Sequence, residues 1–189
     1  GRELDDDRFE RWKDGNTGWP FLDACMRQLN STGWINFRMR AMIMSAASYN
    51  LWMPWRETGA YLAKQFLDYE PGIHWSQVGM QSGTTGINTI RAYSMTKQGK
   101  DQDPSGEYIR KWVPELSMVP TKFIHEPWKM PPLINTLSQD SIYNNPCVNI
   151  VESGKAARTK IWSFKASKEV KNENKRILYL HVRNNIRRA

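Results

Sequence analysis

The chain has 189 residues, 40% of them hydrophobic and 12% aromatic, which is enough for one core-forming domain and argues against a disordered chain. Lysine and arginine number 27 against 19 acidic residues; the net charge of +8 points to an anionic partner such as nucleic acid or phosphate, with a merely solvated basic surface as the alternative. Cys25 and Cys147 have no C-x-x-C spacing, and His74, His125 and His181 stand far apart, which excludes a disulfide framework and any zinc or iron–sulfur signature.

No signal-peptide pattern and no apolar run long enough to span a bilayer is present, so the expectation is a soluble, cytoplasmic protein with no membrane partner. Gly1 to Arg11 is acidic and polar, shows no obvious cap or core pattern, and reads as a lead-in segment or an artificial boundary. Thr17 is placed to cap the first clear helix. Pro20 suits its first turn, and Phe21, Leu22, Cys25, Met26 and Leu29 recur at three- and four-residue steps until Asn30 to Gly33 ends it.

A second helix is predicted from Trp34 to Leu51, where Ile35, Met39, Met42, Ile43, Ala46 and Ala47 form one apolar stripe with small residues that permit close packing. Met53-Pro54 breaks it, and Trp55 to Leu67 reads as a third helix with Tyr61, Leu62, Phe66 and Leu67 inward. Asp68-Tyr69-Glu70-Pro71-Gly72 is a turn, followed by a helix over Ile73 to Gln81. Gly83 to Asp103 carries little periodicity and reads as an ordered surface loop of the kind that holds binding residues.

Pro104 to Leu116 gives a short helical segment, and the four prolines of Pro120 to Pro132 make a winding connector. Two helices are expected between Ala156 and Arg183, separated near Ser167, with one long helix or a frayed tail as alternatives. Strand-helix-strand repeats and internal duplications are absent, so the fold class is all-α. The chain is expected to form a single unit over 1–189, with its core in 1–132 and a connector and terminal helices in 133–189.

Between Trp12 and Met130 run Gly15-Asn16-Thr17-Gly18 with Pro20, Asp23-Ala24 with Met26-Arg27, Thr32-Gly33-Trp34, and Pro54-Trp55-Arg56-Glu57. They are followed by Gly106-Glu107-Tyr108-Ile109-Arg110-Lys111-Trp112-Val113-Pro114-Glu115-Leu116 and His125-Glu126-Pro127-Trp128-Lys129. In this order and spacing the sequence resembles the C-terminal, flavin-binding helical domain of the photolyase and cryptochrome family. The match weakens after Pro132, although Ala157-Arg158 with Ile161-Trp162 resembles the family's terminal helices.

The resemblance implies FAD as cofactor and blue-light-driven electron transfer, either for repair of pyrimidine lesions in DNA or for signalling. It also implies an N-terminal antenna domain and a Ser/Thr-rich clamp for the FAD pyrophosphate, neither of which this sequence contains. FAD is therefore expected in the intact parent and not to be retained by this chain alone.

By resemblance Trp34 packs beside the flavin, Arg40 pairs with Asp68 at the ring, and Glu70 stands where the family has a second acid, usually Asp. A buried arginine with a buried acid would set a field favouring the reduced, anionic flavin; a plain helix-to-loop ion pair is the alternative. Arg38 and Arg91 match positions that contact the DNA backbone. Guanidinium suits bidentate phosphate contact, although an exposed arginine is more often only solvated.

Trp55 matches the middle of the family's tryptophan relay, whereas the position nearest the flavin holds Val78. Trp75, one helical turn earlier, is placed to reach the same space. His74 occupies the position facing the flavin's reactive nitrogen, where an imidazole would titrate near neutral pH. The alternatives are a Trp75 that only packs in the core and a His74 that only satisfies a backbone carbonyl.

Three lesion-facing positions depart from repair enzymes: Phe37 replaces Asn, Met80 replaces the aromatic platform, and Ala41 replaces a larger residue. Losing the platform removes stacking of about 1–3 kcal/mol per base. Light-driven repair of damaged DNA is the leading reading. A cryptochrome-like photoreceptor and a flavin-free helical interaction module are the others. A concave face lined by Trp34, Arg38, Arg40, Asp68 and Glu70 is the structural expectation.

Overall fold

Prolines, capping side chains and left-handed glycines set the helix boundaries. The computed structural model describes residues 2–85, 90 and 92–181. Nine α-helices are found among them: α1 (Asp6–Lys13), α2 (Pro20–Thr32), α3 (Phe37–Ser45), α4 (Trp55–Gln65), α5 (Pro71–Ser82), α6 (Met95–Gln102), α7 (Glu107–Trp112), α8 (Ile150–Ala166) and α9 (Lys168–His181). Short 3₁₀ turns carry the proline-rich connector between Pro114 and Ile134.

Helix α2 forms the centre of the bundle and packs against α1, α3, α6 and α7. Its inward residues Phe21, Leu22, Cys25, Met26 and Leu29 join Trp12, Trp19, Ile35, Met42, Ile43 and Met53 in one buried cluster. The helix stops at Gly33, whose φ of 68° is a left-handed C-cap that non-glycine residues adopt at a cost.

Thr17 does not cap α2, as the sequence led us to expect. Its hydroxyl donates to Asp23 Oδ1 at 2.6 Å, and Asp23 also accepts from the Thr17 and Gly18 amides and from the Tyr143 hydroxyl. Asp23 is thus a buried knot that ties the Asn16–Gly18 turn and a residue of the distant connector to α2. Burial pushes its carboxyl up to about 6, against the Thr17 and Gly18 hydrogen bonds that favour the ionised form.

Several boundaries differ from expectation for identifiable reasons. The acidic N-terminal segment forms α1, because Asp5 accepts from the Arg8 amide and Trp12 reaches the core with its indole N–H on the Ile43 carbonyl. The second helix begins at Phe37 under an Asn36 cap and ends in a π-helical turn, Ala46–Asn50, whose residues are all buried. The expected loop from Gly83 to Asp103 contains α6, started by a Ser94 cap and held by buried Met95 and Gly99. A Cβ on Gly99 would stand 2.7 Å from His125 Nδ1, so only glycine admits this approach.

Leu67 was expected inward, yet it is 83% exposed; its side chain lies over Gly33, to whose carbonyl its own amide donates. Helix α8 begins at Ile150 under an Asn149 cap, earlier than the expected Ala156, and α9 follows after Ser167. No helix among the described residues is long and apolar enough to cross a membrane.

Candidate functional site

Helices α3 and α5 pack against each other, with α4 beside α5. Between them lies a cavity of about 140 Å³. Its apolar wall is Ala41 and Met44 from α3, Leu62 and Phe66 at the end of α4, and Val78 from α5. Arg40, Asp68, Glu70, His74 and Gln81 bring polar groups to the same space. On α3 the spacing Phe37, Arg40, Ala41, Met44 is one helical face, which is why these four share the cavity.

Arg40 donates from Nη2 to Asp68 Oδ2 at 2.9 Å and from Nε to the Ile35 carbonyl at 2.8 Å, with its guanidinium 4.3 Å from the Phe66 ring centre. The side chains are 24% and 53% exposed, so this is a pair at the cavity's rim rather than a fully buried one. The hydrogen bond from Arg40 holds the Asp68 carboxyl below the usual carboxylate range. Glu70 acts locally, where its Oε2 accepts from the Ile73 amide at 2.6 Å and caps α5.

His74 is buried against the edges of Phe66, Tyr69 and Trp75. Its Nε2 lies 2.9 Å from the Gly59 carbonyl oxygen, which can only accept, so the geometry assigns the proton to Nε2. Burial, with some repulsion from Arg40, lowers its pKa against the raising effect of that hydrogen bond. The ring therefore stays neutral to lower pH than a free imidazole.

Trp75 meets Trp55 edge to face, ring centres 6.2 Å apart at 74°, and donates from Nε1 to the Tyr69 hydroxyl at 3.1 Å. Its indole and the Val78 side chain converge on Gly59, each 2.9 Å from where a Cβ would stand. Trp75 thus lies in the space beside Val78, and at 36% exposure it is no fully buried core residue. Trp55 also carries the Arg56 guanidinium 4.4 Å from its ring centre.

The structure therefore brings Arg40, Asp68, Glu70 and His74 to one cavity, with Trp75 and Trp55 alongside. It does not place Trp34 or Arg38 in that cavity's wall. Trp34 is 51% exposed, and Arg38 lines a separate crevice with Asn36, Met39, Gln98 and Gln102, the other side of α3 from Arg40. Arg91 lies outside the described residues. Phe37, 59% exposed, and Ile73 flank the cavity, Ala41 lines it, and Met80 is half-buried away from it.

Gln77 and Gln81 also line the cavity and were not singled out in the sequence. The available signal was their spacing: both fall near the face of α5 that carries His74, at i+3 and i+7. An apolar slot with an arginine, a neutral imidazole and a carboxamide at its edges fits a planar heteroaromatic ring with polar edges. That is the chemistry of a flavin ring.

Comparison with known proteins agrees. A family model described as the FAD binding domain of DNA photolyase matches residues 2–163. The deoxyribodipyrimidine photo-lyase of Escherichia coli strain K12 is 42% identical over 124 residues, covering 64% of this chain and 26% of that protein. The crystal structure of a Synechocystis sp. cryptochrome superimposes with a TM-score of 0.79 at 32% identity, over 84% of this chain and 34% of its own. An archaeal photolyase from Sulfolobus tokodaii, solved with two FAD molecules, gives a TM-score of 0.77 at 32% identity, over 86% and 36%. The chain spans between a quarter and about a third of the length of these proteins. With the helical fold, the cavity and the match over residues 2–163 in agreement, the chain belongs to the photolyase and cryptochrome family, within its FAD-binding domain.

Proposed function

We propose that this chain contributes the ring-binding part of a flavoprotein that uses blue light to repair a pyrimidine lesion in DNA. FAD, when bound, would supply light absorption and one-electron transfer. The chain's own residues would hold its ring. Arg40, Asp68 and His74 would hold the ring edge and set its local charge, and the apolar walls would exclude water. Trp75 and Trp55, in edge contact, would return an electron from the surface. As a neutral ring with its proton committed to the Gly59 carbonyl, His74 would offer an acceptor and not a cation to its ligand.

The observation that supports DNA as the partner is the exposed N-terminal end of α3. Trp34 and Phe37 stand out into solvent at 51% and 59% exposure, next to exposed Arg38 and, in the case of Phe37, at the cavity itself. Aromatic surface on which a base can stack, beside a guanidinium for phosphate, is what a protein that takes a flipped nucleotide requires. The antenna domain is proposed as the partner that completes the protein, and FAD is proposed to need residues beyond this chain for its diphosphate.

The second reading is a photoreceptor without repair. It is favoured by one feature: the Trp55–Trp75 contact is present while the Asn and aromatic platform of the repair pocket are replaced by Phe37 and Met80. The experiment that separates the two is illumination of the flavin-loaded full-length parent with an oligonucleotide carrying one cyclobutane dimer. Repair predicts light-dependent loss of the dimer. Photoreduction of the flavin with every dimer intact would establish the second reading.

A further inference from the structure

Gln81 sits in the last turn of α5, 3% exposed, and lines the same cavity as Arg40 and His74. Its Oε1 is buried and has no hydrogen-bond partner among the described residues. A buried carboxamide oxygen without a partner loses its hydration with nothing in return, so native structures satisfy nearly all such groups. The apolar part of the cavity wall, which includes Ala41, Met44 and Val78, offers no side-chain donor. Of the other polar cavity residues, Arg40 is engaged with Asp68 and Ile35, Glu70 with the Ile73 amide, His74 Nε2 with Gly59, and the Tyr69 hydroxyl accepts from Trp75 Nε1, while Gln77, four residues earlier on α5, makes no hydrogen bond to Gln81 Oε1.

We infer that Gln81 is a specificity-determining residue whose carboxamide is left unpaired for a ligand's imide edge, an N–H beside a C=O. A carboxamide carries an acceptor and a donor side by side, so it pairs with such an edge through two hydrogen bonds. A cationic or purely apolar ligand cannot use both. The inference rests on the flavin reading, since the flavin ring carries an imide edge; so does a thymine base, and the test distinguishes them. Gln81 acts on ligand choice, while Arg40 and Asp68 act on charge.

Two measurements test this on the chain itself. The first needs no ligand. If Oε1 is unpaired in the free protein, Gln81→Met, which keeps the volume and removes the polar atoms, raises the melting temperature by about 2–4 °C. A fall of that size shows that the amide already has a structural partner and overturns the inference.

The second measurement titrates lumiflavin and 3-methyllumiflavin, and thymidine and 3-methylthymidine, into the wild type and Gln81→Met, read by fluorescence quenching and calorimetry. The wild type is expected to prefer the unmethylated member of one pair by about tenfold, because methylation removes the N–H, and Gln81→Met loses that preference. Preference within the lumiflavin pair identifies the flavin edge. Preference only within the thymidine pair keeps the role of Gln81 but reassigns the cavity to the base. Equal lumiflavin binding by both proteins, without discrimination, overturns the inference while leaving the flavin reading intact. Binding of none of the four by the wild type overturns both.

Discussion

Arg40 and Asp68 meet at 2.9 Å although α4 and a turn separate them in sequence, and this bond joins α3 to the turn before α5. Their contribution is unequal. Asp68 is half-exposed, so Asp68→Asn should cost only about 0.2–1 kcal/mol in urea unfolding. Arg40→Ala also removes the bond to the Ile35 carbonyl and the contact with Phe66, and should cost about 1–3 kcal/mol. Because Arg40 lowers the Asp68 pKa, the stability this pair gives is present above the unfolded carboxylate value of about 4. It is lost as pH falls through the lower folded value. Equal costs for the two variants would contradict the assignment.

Asp23 runs the other way. Its folded carboxyl titrates at about 6, above the unfolded value of roughly 3.9, so the folded state holds more protons between those values. Stability should therefore decline as pH rises from about 4 to about 6, by up to about 3 kcal/mol, and then level off. Asp23→Asn should flatten that stretch of the profile. Urea unfolding at half-unit pH steps checks both, and a wild-type profile that rises over this range because of Asp23 would refute the sign.

Helix α3 divides its two arginines between faces, Arg40 into the cavity and Arg38 to the exterior. If Arg38 contacts a phosphate, Arg38→Ala weakens DNA binding and reduces the salt dependence by about one unit of log slope, while Arg40→Ala leaves the slope unchanged. Fluorescence anisotropy of the full-length parent at several salt concentrations gives the slope. An unchanged slope in Arg38→Ala places that residue among merely solvated cations.

Gly59 fixes the meeting of Trp75, Val78 and His74. A methyl group there would lie 2.9 Å from the Trp75 ring and from a Val78 methyl, and Gly59 also supplies the carbonyl that His74 binds. Gly59→Ala is expected to destabilise the fold by about 1–3 kcal/mol and to shift tryptophan fluorescence by turning Trp75 away from Trp55. An unshifted spectrum with native stability would show that the indole tolerates the methyl group.

Elements with a regular apolar stripe were legible in the sequence. Phe21, Leu22, Cys25, Met26 and Leu29, and Ile35, Met42, Ile43, Ala46 and Ala47, are buried as the periodicity required, with Met39 half-buried beside them, because burial and helical spacing coincide there. Helices α1 and α6 were not legible, since each buries only one or two residues and depends on partners far away in sequence: Ile43 for Trp12, Phe21 and His125 for Gly99. Thr17 shows a local rule overridden. A hydroxyl at a helix start normally accepts from the second or third helical amide, but Thr17 stands two residues before the Trp19 N-cap, so its oxygen accepts from the Trp19 amide while its proton goes to the buried Asp23.

The site was legible only in part. The convergence of Arg40, Asp68 and His74 followed from resemblance, since nothing in their spacing brings α3, a turn and α5 together. Glu70 as the cap of α5 was readable from a carboxylate before Pro71-Gly72, but the resemblance drew attention to the ring instead. Gln81 shares the α5 face of His74, but that spacing alone does not mark it, because a glutamine in a helix becomes informative only when burial leaves its amide unpaired.

The most direct test of the electron path is transient absorption after a blue pulse on the flavin-loaded full-length parent, comparing Trp75→Phe with Trp12→Phe. Trp75 lies between His74, which lines the cavity, and Trp55, in edge contact with both, whereas Trp12 is fully buried beside Phe9 and Tyr61 with its indole N–H on the Ile43 carbonyl. Phenylalanine is far harder to oxidise than tryptophan, so Trp75→Phe should slow flavin photoreduction severely and Trp12→Phe should leave it unchanged. Photoreduction of Trp75→Phe at the wild-type rate would contradict an electron path through this pair.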